Sequence, residues 1–211
     1  MSQAIRLSKP FYLGALVGVP LLLRIASFAI SYGRGPENEP SPPVLIFTIF
    51  VLLVTLGVTA IFFLFWYRAW KVIYSPELPY TPAGRVLNLI LPIYNVYWSF
   101  KAFWQWGKRY NEYLREKNLS LPRVKEYVFF LMSLYYAILI ALGYIGFFLF
   151  LFRIIPRMVL PFDVSVLVNV IYYGVIGLTT YYVCGAVNRL PVVPDEPAAE
   201  AELQTPVRPP A

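Results

Sequence analysis

Val44–Trp66 reads VLIFTIFVLLVTLGVTAIFFLFW, 23 residues without a charge or a proline. At 1.5 Å of rise per residue, a helix of that length crosses the ~30 Å hydrocarbon core of a bilayer. Arg68 and Lys71 follow at once, interleaved with Trp66, Tyr67 and Trp70. Cations and amphipathic rings gather where hydrocarbon meets water, so this segment predicts a transmembrane helix that ends at an interface.

Three further blocks resemble it. Residues 127–152 carry no charge over 26 positions. Residues 164–187 are apolar and are closed by Asn188 and Arg189. Residues 11–31 are long enough to cross and are preceded by Arg6 and Lys9. That opening has the charge pattern of a signal peptide, but Arg24 would interrupt the apolar region such a peptide needs, and a membrane span is expected instead. The composition agrees: 59% of residues are hydrophobic and 14% charged, against about 45–50% and about 25% in soluble domains. The expected fold is all-α, a polytopic membrane protein with four transmembrane helices at about 11–31, 44–66, 127–152 and 164–187. Residues 1–190 would form this membrane domain, and 191–211, rich in Pro, Ala and Glu, a disordered tail.

Residues 86–117 decide the topology. The stretch 86–106 is apolar but is broken by Pro92, Asn95 and Lys101. From Trp98 onward Lys101, Gln105, Lys108, Arg109, Glu112, Arg115 and Glu116 recur on one helical face. Tyr97, Phe100, Trp104 and Leu114, with Phe103 and Tyr110 nearby, fall toward the other. If 86–106 does not cross, 14 Lys and Arg share a side with both termini and 3 lie on the opposite side. If it does cross, the bias disappears. Positive charge is retained on the cytoplasmic side, so the expectation is four spans with both termini cytoplasmic and an amphipathic helix, interfacial or re-entrant, at about 86–117. The setting would be a bacterial inner membrane.

Chemistry is sparse. There is no histidine and one cysteine, Cys184, which excludes an intramolecular disulfide and a Cys/His metal site; a buried structural role is expected for this thiol. No carboxylate lies within the four expected spans, which counts against a proton relay. No glycine-rich phosphate loop is present. The expected reading is therefore non-enzymatic, without cofactor, metal or catalytic residues.

Arg24 is the only ionisable residue deep in an expected span, where it requires a partner or an escape toward the interface. Asp163, directly before the last span, is the candidate partner, with lipid phosphate as the alternative. Asn95, Trp98, Lys101, Trp104, Lys108 and Arg109 mark the basic, aromatic face of the 86–117 segment. Basic and aromatic residues together also bind single-stranded nucleic acid. Beside two spans, anionic membrane lipid at the cytoplasmic face is the expected contact and nucleic acid is not.

Thr81–Asn111, TPAGRVLNLILPIYNVYWSFKAFWQWGKRYN, resembles the central motif of a family of bacterial four-helix membrane proteins of unassigned function. In that family a TPGKAV…IPFFNLYW…AKDYN-like run lies between the second and third spans, and some members carry a GYF-type domain. The matching positions are Thr81, Pro82, Pro92, Asn95, Tyr97, Trp98, Phe103, Trp104, Gly107, Tyr110 and Asn111, with Cys184 and Asn188 at the end of the last span. Ala83, Gly84 and Arg85 depart from the usual order. The resemblance implies architecture and bacterial origin.

Two functions lead, ahead of a lipid-modifying enzyme that the missing acid–base groups disfavour. One is an accessory or scaffold protein acting through helix packing and its basic cytoplasmic face, with a membrane-protein partner. The other is a small transporter or channel with a re-entrant element at 86–106. A polar cavity reaching mid-membrane and lined by Arg24 and Asn169 would favour the second; a solid bundle would favour the first.

Overall fold

A computed structural model describes residues 5–32, 42–75, 78–91, 94–151 and 162–191. The disordered tail expected at 191–211 lies outside them from residue 192 onward. The described residues are helical, with no strand.

Helix α1 joins α-helical Lys9–Leu13, a π-helical turn Gly14–Gly18 and α-helical Val19–Tyr32. Helix α2 is Pro42–Val72, α3 is Pro82–Leu87, and α4 joins Tyr94–Ser99, a π-helical turn Phe100–Trp104 and Gln105–Glu116. Helices α5 and α6 are Glu126–Leu151 and Phe162–Val187. Four helices, α1, α2, α5 and α6, are long and apolar enough to cross a membrane. The chain is thus an all-α polytopic membrane protein. Its α2 continues to Val72, beyond the expected boundary at Trp66. Trp70 is turned fully inward, so the helix has packing to gain past its last apolar residue.

Local signals account for the short elements. Thr81 caps α3, its hydroxyl accepting from the Gly84 N–H at 3.1 Å, with Pro82 at the first helical position. At the end of α4, Asn118 takes a left-handed conformation, φ 49°. The Leu119 N–H then returns to the Leu114 carbonyl at 2.9 Å and the Asn118 N–H to Arg115 at 3.1 Å, a Schellman stop.

Two asparagines fasten one end of the bundle in the same way. The Asn188 amide accepts from the Leu7 N–H and donates to the Leu7 carbonyl, both at 2.8 Å. The Asn111 amide accepts from the Val124 N–H at 2.9 Å and donates to the Val124 carbonyl at 3.0 Å. Each asparagine thus completes both backbone groups of one residue, as a neighbouring strand would. The Asn188 clamp joins the segment before α1 to the end of α6. Lys9 lies over the Tyr181 ring at 4.4 Å and Arg68 donates to the Tyr12 hydroxyl at 3.3 Å. The beginning of α1 and the ends of α2 and α6 therefore meet at one end of the bundle.

Helix α4 runs antiparallel to α5. Asn95 meets Tyr144, Ser99 meets Ser133, Gly107 meets Phe129 and Asn111 meets Val124 and Glu126. The first turn of α4 is therefore level with the middle of a spanning helix. Its last turn lies at the end of the bundle that carries Leu7 and Asn188.

Candidate functional site

Residues 78–91 and 94–116 form the two arms of a helical hairpin clasped against α2 and α5. The clasp is aromatic. Phe65, Trp66, Ala69 and Trp70 on α2 and Ile73 just past its end share one core with Ala102, Phe103, Trp106 and Tyr110 on α4, and every one of these residues is at most 1% exposed. The Trp70 indole N–H donates to the Ala102 carbonyl at 2.9 Å, and the Trp106 indole N–H donates to Ala69 at 3.0 Å. The two tryptophans exchange bonds across the interface, so each anchors its own ring and the facing backbone. Trp106 stacks on Tyr110 at 5.4 Å between centroids, and Trp66 meets Phe103 at 4.7 Å. The Tyr110 hydroxyl reaches the Ala186 carbonyl of α6 at 3.3 Å.

Arg85 of α3 locks the returning arm. Its guanidinium lies 4.1 Å from the Trp70 ring and donates to the Gln105 side chain at 3.0 Å and the Lys101 carbonyl at 3.4 Å. Gly107 allows α4 to approach α5: a Cβ there would sit 2.9 Å from Cδ2 of Phe129. The π turn at Phe100–Trp104 offers a backbone donor to the neighbouring helix. The Trp104 N–H donates to the Ser133 hydroxyl at 3.1 Å, which itself donates to its own-helix Phe129 carbonyl at 2.9 Å. Where a helix loosens to π winding, such side-chain partners replace the lost i→i−4 bond.

The residues expected at the site separate into two places. Asn95 accepts from the Tyr144 hydroxyl at 3.3 Å, and Trp98 is buried edge-on to Tyr80 at 5.0 Å. Lys101 lies 5.5 Å from the Tyr97 ring and Lys108 3.9 Å from the Trp104 ring, so two cation–π pairs run along the outward side of α4. Trp104 also meets Phe130 at 5.3 Å. Arg109 forks onto the Glu116 carboxylate and lies 3.6 Å from Glu112. This pair holds the Glu116 carboxyl below its ordinary range and raises the Arg109 guanidinium, the hydrogen bond between them being the main cause in both. The expected two-face division of α4 is partly redrawn: Phe103, Tyr110 and Leu114 are buried as expected, Tyr97 is 57% exposed, and Trp106 joins the buried side.

Arg24 stands elsewhere, in the wall of a cavity of about 380 Å³ between α1, α2, α5 and α6. Pro20, Leu23 and Ser27 share its helix face; Val51, Thr55, Thr59, Tyr172 and Tyr173 line other walls. Leu16, Phe62, Phe63 and Ile176 close the end toward the aromatic clasp. Of the pair whose joint lining of a cavity would favour transport, Arg24 lines this one and Asn169 does not. Asp163 begins α6, but its side chain lies outside the described residues, and so does the expected Arg24–Asp163 contact. Cys184 is fully buried. Among the described residues no group of His, Cys, Asp or Glu could hold a metal ion.

As clasp residues Trp70, Trp106, Arg85 and Ser133 were not expected: Trp70 stood only as an interfacial ring and Arg85 only as a departure from the family's motif. The signal for the first two was present: Trp66 and Trp70 are four apart, and Phe103, Trp106 and Tyr110 are three and four apart, the spacing of one helical face. No protein-family model, curated protein or solved structure matches this chain. The class stands on the fold alone: an all-α membrane protein of four candidate spans with a clasped hairpin between the second and third.

Proposed function

We propose that the chain is a non-enzymatic accessory or scaffold protein of a bacterial inner membrane, related to the four-helix family that Thr81–Asn111 resembles. Both termini and the open end of the hairpin face the cytoplasm, and 86–106 enters the membrane from that side. The single observation that carries this reading is the solid clasp: α2, α4, α5 and α6 interlock through indole–carbonyl bonds, the Tyr110 bond and fully buried rings. A bundle end sealed in that way is built to hold a fixed surface. The surface offered is the outward side of α4, where Lys101 on Tyr97 and Lys108 on Trp104 suit anionic headgroups and a neighbouring membrane protein. The basic end of the bundle supports the orientation by the positive-inside rule. A photo-crosslinking residue at Tyr97 in living cells tests it: a discrete membrane-protein adduct is expected, and adducts with lipid alone would contradict the scaffold role.

A small transporter or channel is the second reading. It is favoured by the start of α4 lying level with the middle of α5, the position of a re-entrant element that lines a path. Solute flux through proteoliposomes of the purified protein would establish this reading and displace the first.

A further inference from the structure

The cavity beside Arg24 is not used by the scaffold reading. It lies on the far side of the clasp from Leu7 and Asn188, and its size is within the ~300–1,000 Å³ of small-molecule sites. Beside Ser27 and the tyrosines Tyr136, Tyr172 and Tyr173, it is lined by polar groups of two further kinds. Arg24 brings a permanent positive charge and a fork of N–H donors. Thr55 and Thr59 bring acceptors: their hydroxyl protons are already given to the Val51 carbonyl at 2.7 Å and the Thr55 carbonyl at 2.8 Å, which leaves oxygen lone pairs for the cavity. The far end is apolar, with Leu16, Phe62, Phe63 and Ile176.

The geometry points to a binding site for a phosphate-bearing amphiphile with a hydroxylated headgroup, its phosphate on Arg24, its hydroxyls donating to Thr55 and Thr59, and its chains on the Leu16–Phe62–Ile176 floor. Each half of the lining selects a part of such a molecule. A planar guanidinium matches phosphate bidentately. Threonine oxygens whose protons are committed to the helix favour donors over further acceptors. Arg24 lies eight residues before the end of α1 at Tyr32, about 12 Å along the helix, so a phosphate on Arg24 stands toward that end with its chains directed to the bundle centre. A lipid of the leaflet facing the ends of α1 has that direction without inversion.

The test uses the purified full-length protein in a neutral detergent, titrated with short-chain phosphatidylglycerol, short-chain phosphatidylcholine, glycerol phosphate and inorganic phosphate, and read by thermal unfolding and native mass spectrometry. Saturable stabilisation by phosphatidylglycerol is expected, with at least tenfold weaker apparent affinity for phosphatidylcholine and for the two free phosphates. Arg24→Leu should weaken phosphatidylglycerol binding tenfold or more, and Arg24→Lys less. Val51→Phe, which narrows the cavity and leaves the charge in place, should weaken it in the same direction. Thr59→Val should reduce the preference for phosphatidylglycerol over a phosphatidic acid of equal chain length. Equal binding of free phosphate, equal binding of phosphatidylcholine, or unchanged affinity in both Arg24→Leu and Val51→Phe would overturn the site. A scaffold without lipid in this cavity would still give the Tyr97 adduct, so the two proposals fail separately.

Discussion

Helix α2 changes character along its length. At its C-terminal end Phe65, Trp66, Ala69 and Trp70 are at most 1% exposed, while Leu45, Ile46, Ile49, Phe50, Leu52, Leu53 and Leu56 in its first half are 50–68% exposed. The first half is apolar on every side yet scarcely packed against protein; the second is packed and tied by hydrogen bonds. In a bilayer, lipid tails solvate Leu and Ile as well as another helix does, so apolarity alone does not bring helices together. What assembles the clasped end is ring packing plus directional polar bonds: two indoles on carbonyls, two asparagine clamps and Arg85. The other half, whose side chains are largely exposed, leaves room for a cavity.

The comparison breaks if truncations in the two halves cost the same. Trp106→Ala removes a fully buried indole and its bond to Ala69, and should lose about 3–5 kcal/mol of stability, read as a large fall in melting temperature in detergent. Phe50→Ala in the open half should leave the melting temperature nearly unchanged. A comparable fall in both would show that α2 is packed along its whole length.

Smaller effects sharpen the picture. Asn188→Ala leaves the Leu7 N–H and carbonyl unpaired, at about 1–3 kcal/mol. The early amides of α1 should then exchange hydrogen faster, while those of α5 keep their rate. Gly107→Ala drives a methyl into Phe129 at a cost of about 1–3 kcal/mol, because the facing ring is itself packed. Phe129→Leu combined with Gly107→Ala should recover part of that loss, and no recovery would place the strain elsewhere.

The smallest effect is titratable. Glu116 has its carboxyl held low by Arg109, so the pair contributes above the unfolded carboxyl value and the contribution disappears as pH falls through the lower, folded value. The Glu116 side chain is 53% exposed and water screens the pair, so wild type should exceed Glu116→Gln by less than about 1 kcal/mol at pH 7. The gap should close on acidification toward pH 3. A gap independent of pH would mean that the fork is not formed.

The spans were legible because a bilayer imposes one simple demand, a long uncharged run, and Val44–Trp66 or 127–152 meets it without reference to any neighbour. The ends of the helices were less so: α2 runs on to Val72 because Trp70 has somewhere to pack, a fact about α4. The hairpin was the hardest part. Lys101 and Lys108 read as a solvated face by periodicity, yet each lies over a ring one turn away, Tyr97 and Trp104, on the same side of α4. A basic residue that covers an aromatic ring satisfies both neighbours, and a two-colour pattern cannot express that. Arg24 was singled out by its charge within a span, but the cavity around it depends on Thr55, Thr59, Tyr172 and Tyr173 from other helices, each unremarkable in its own sequence.

The depth of α4 is the most direct test of the account, since the clasp, the orientation and the hairpin all depend on it. Single cysteines at Tyr94 and Glu116, in a Cys184→Ala background, are probed in intact cells and in inverted vesicles with a membrane-impermeant maleimide. The account predicts that Glu116→Cys is labelled only in inverted vesicles and that Tyr94→Cys is labelled in neither until detergent is added. Labelling of Tyr94→Cys in intact cells would make α4 a fifth crossing, and its ready labelling in inverted vesicles would lay the helix on the membrane surface; either contradicts the re-entrant hairpin.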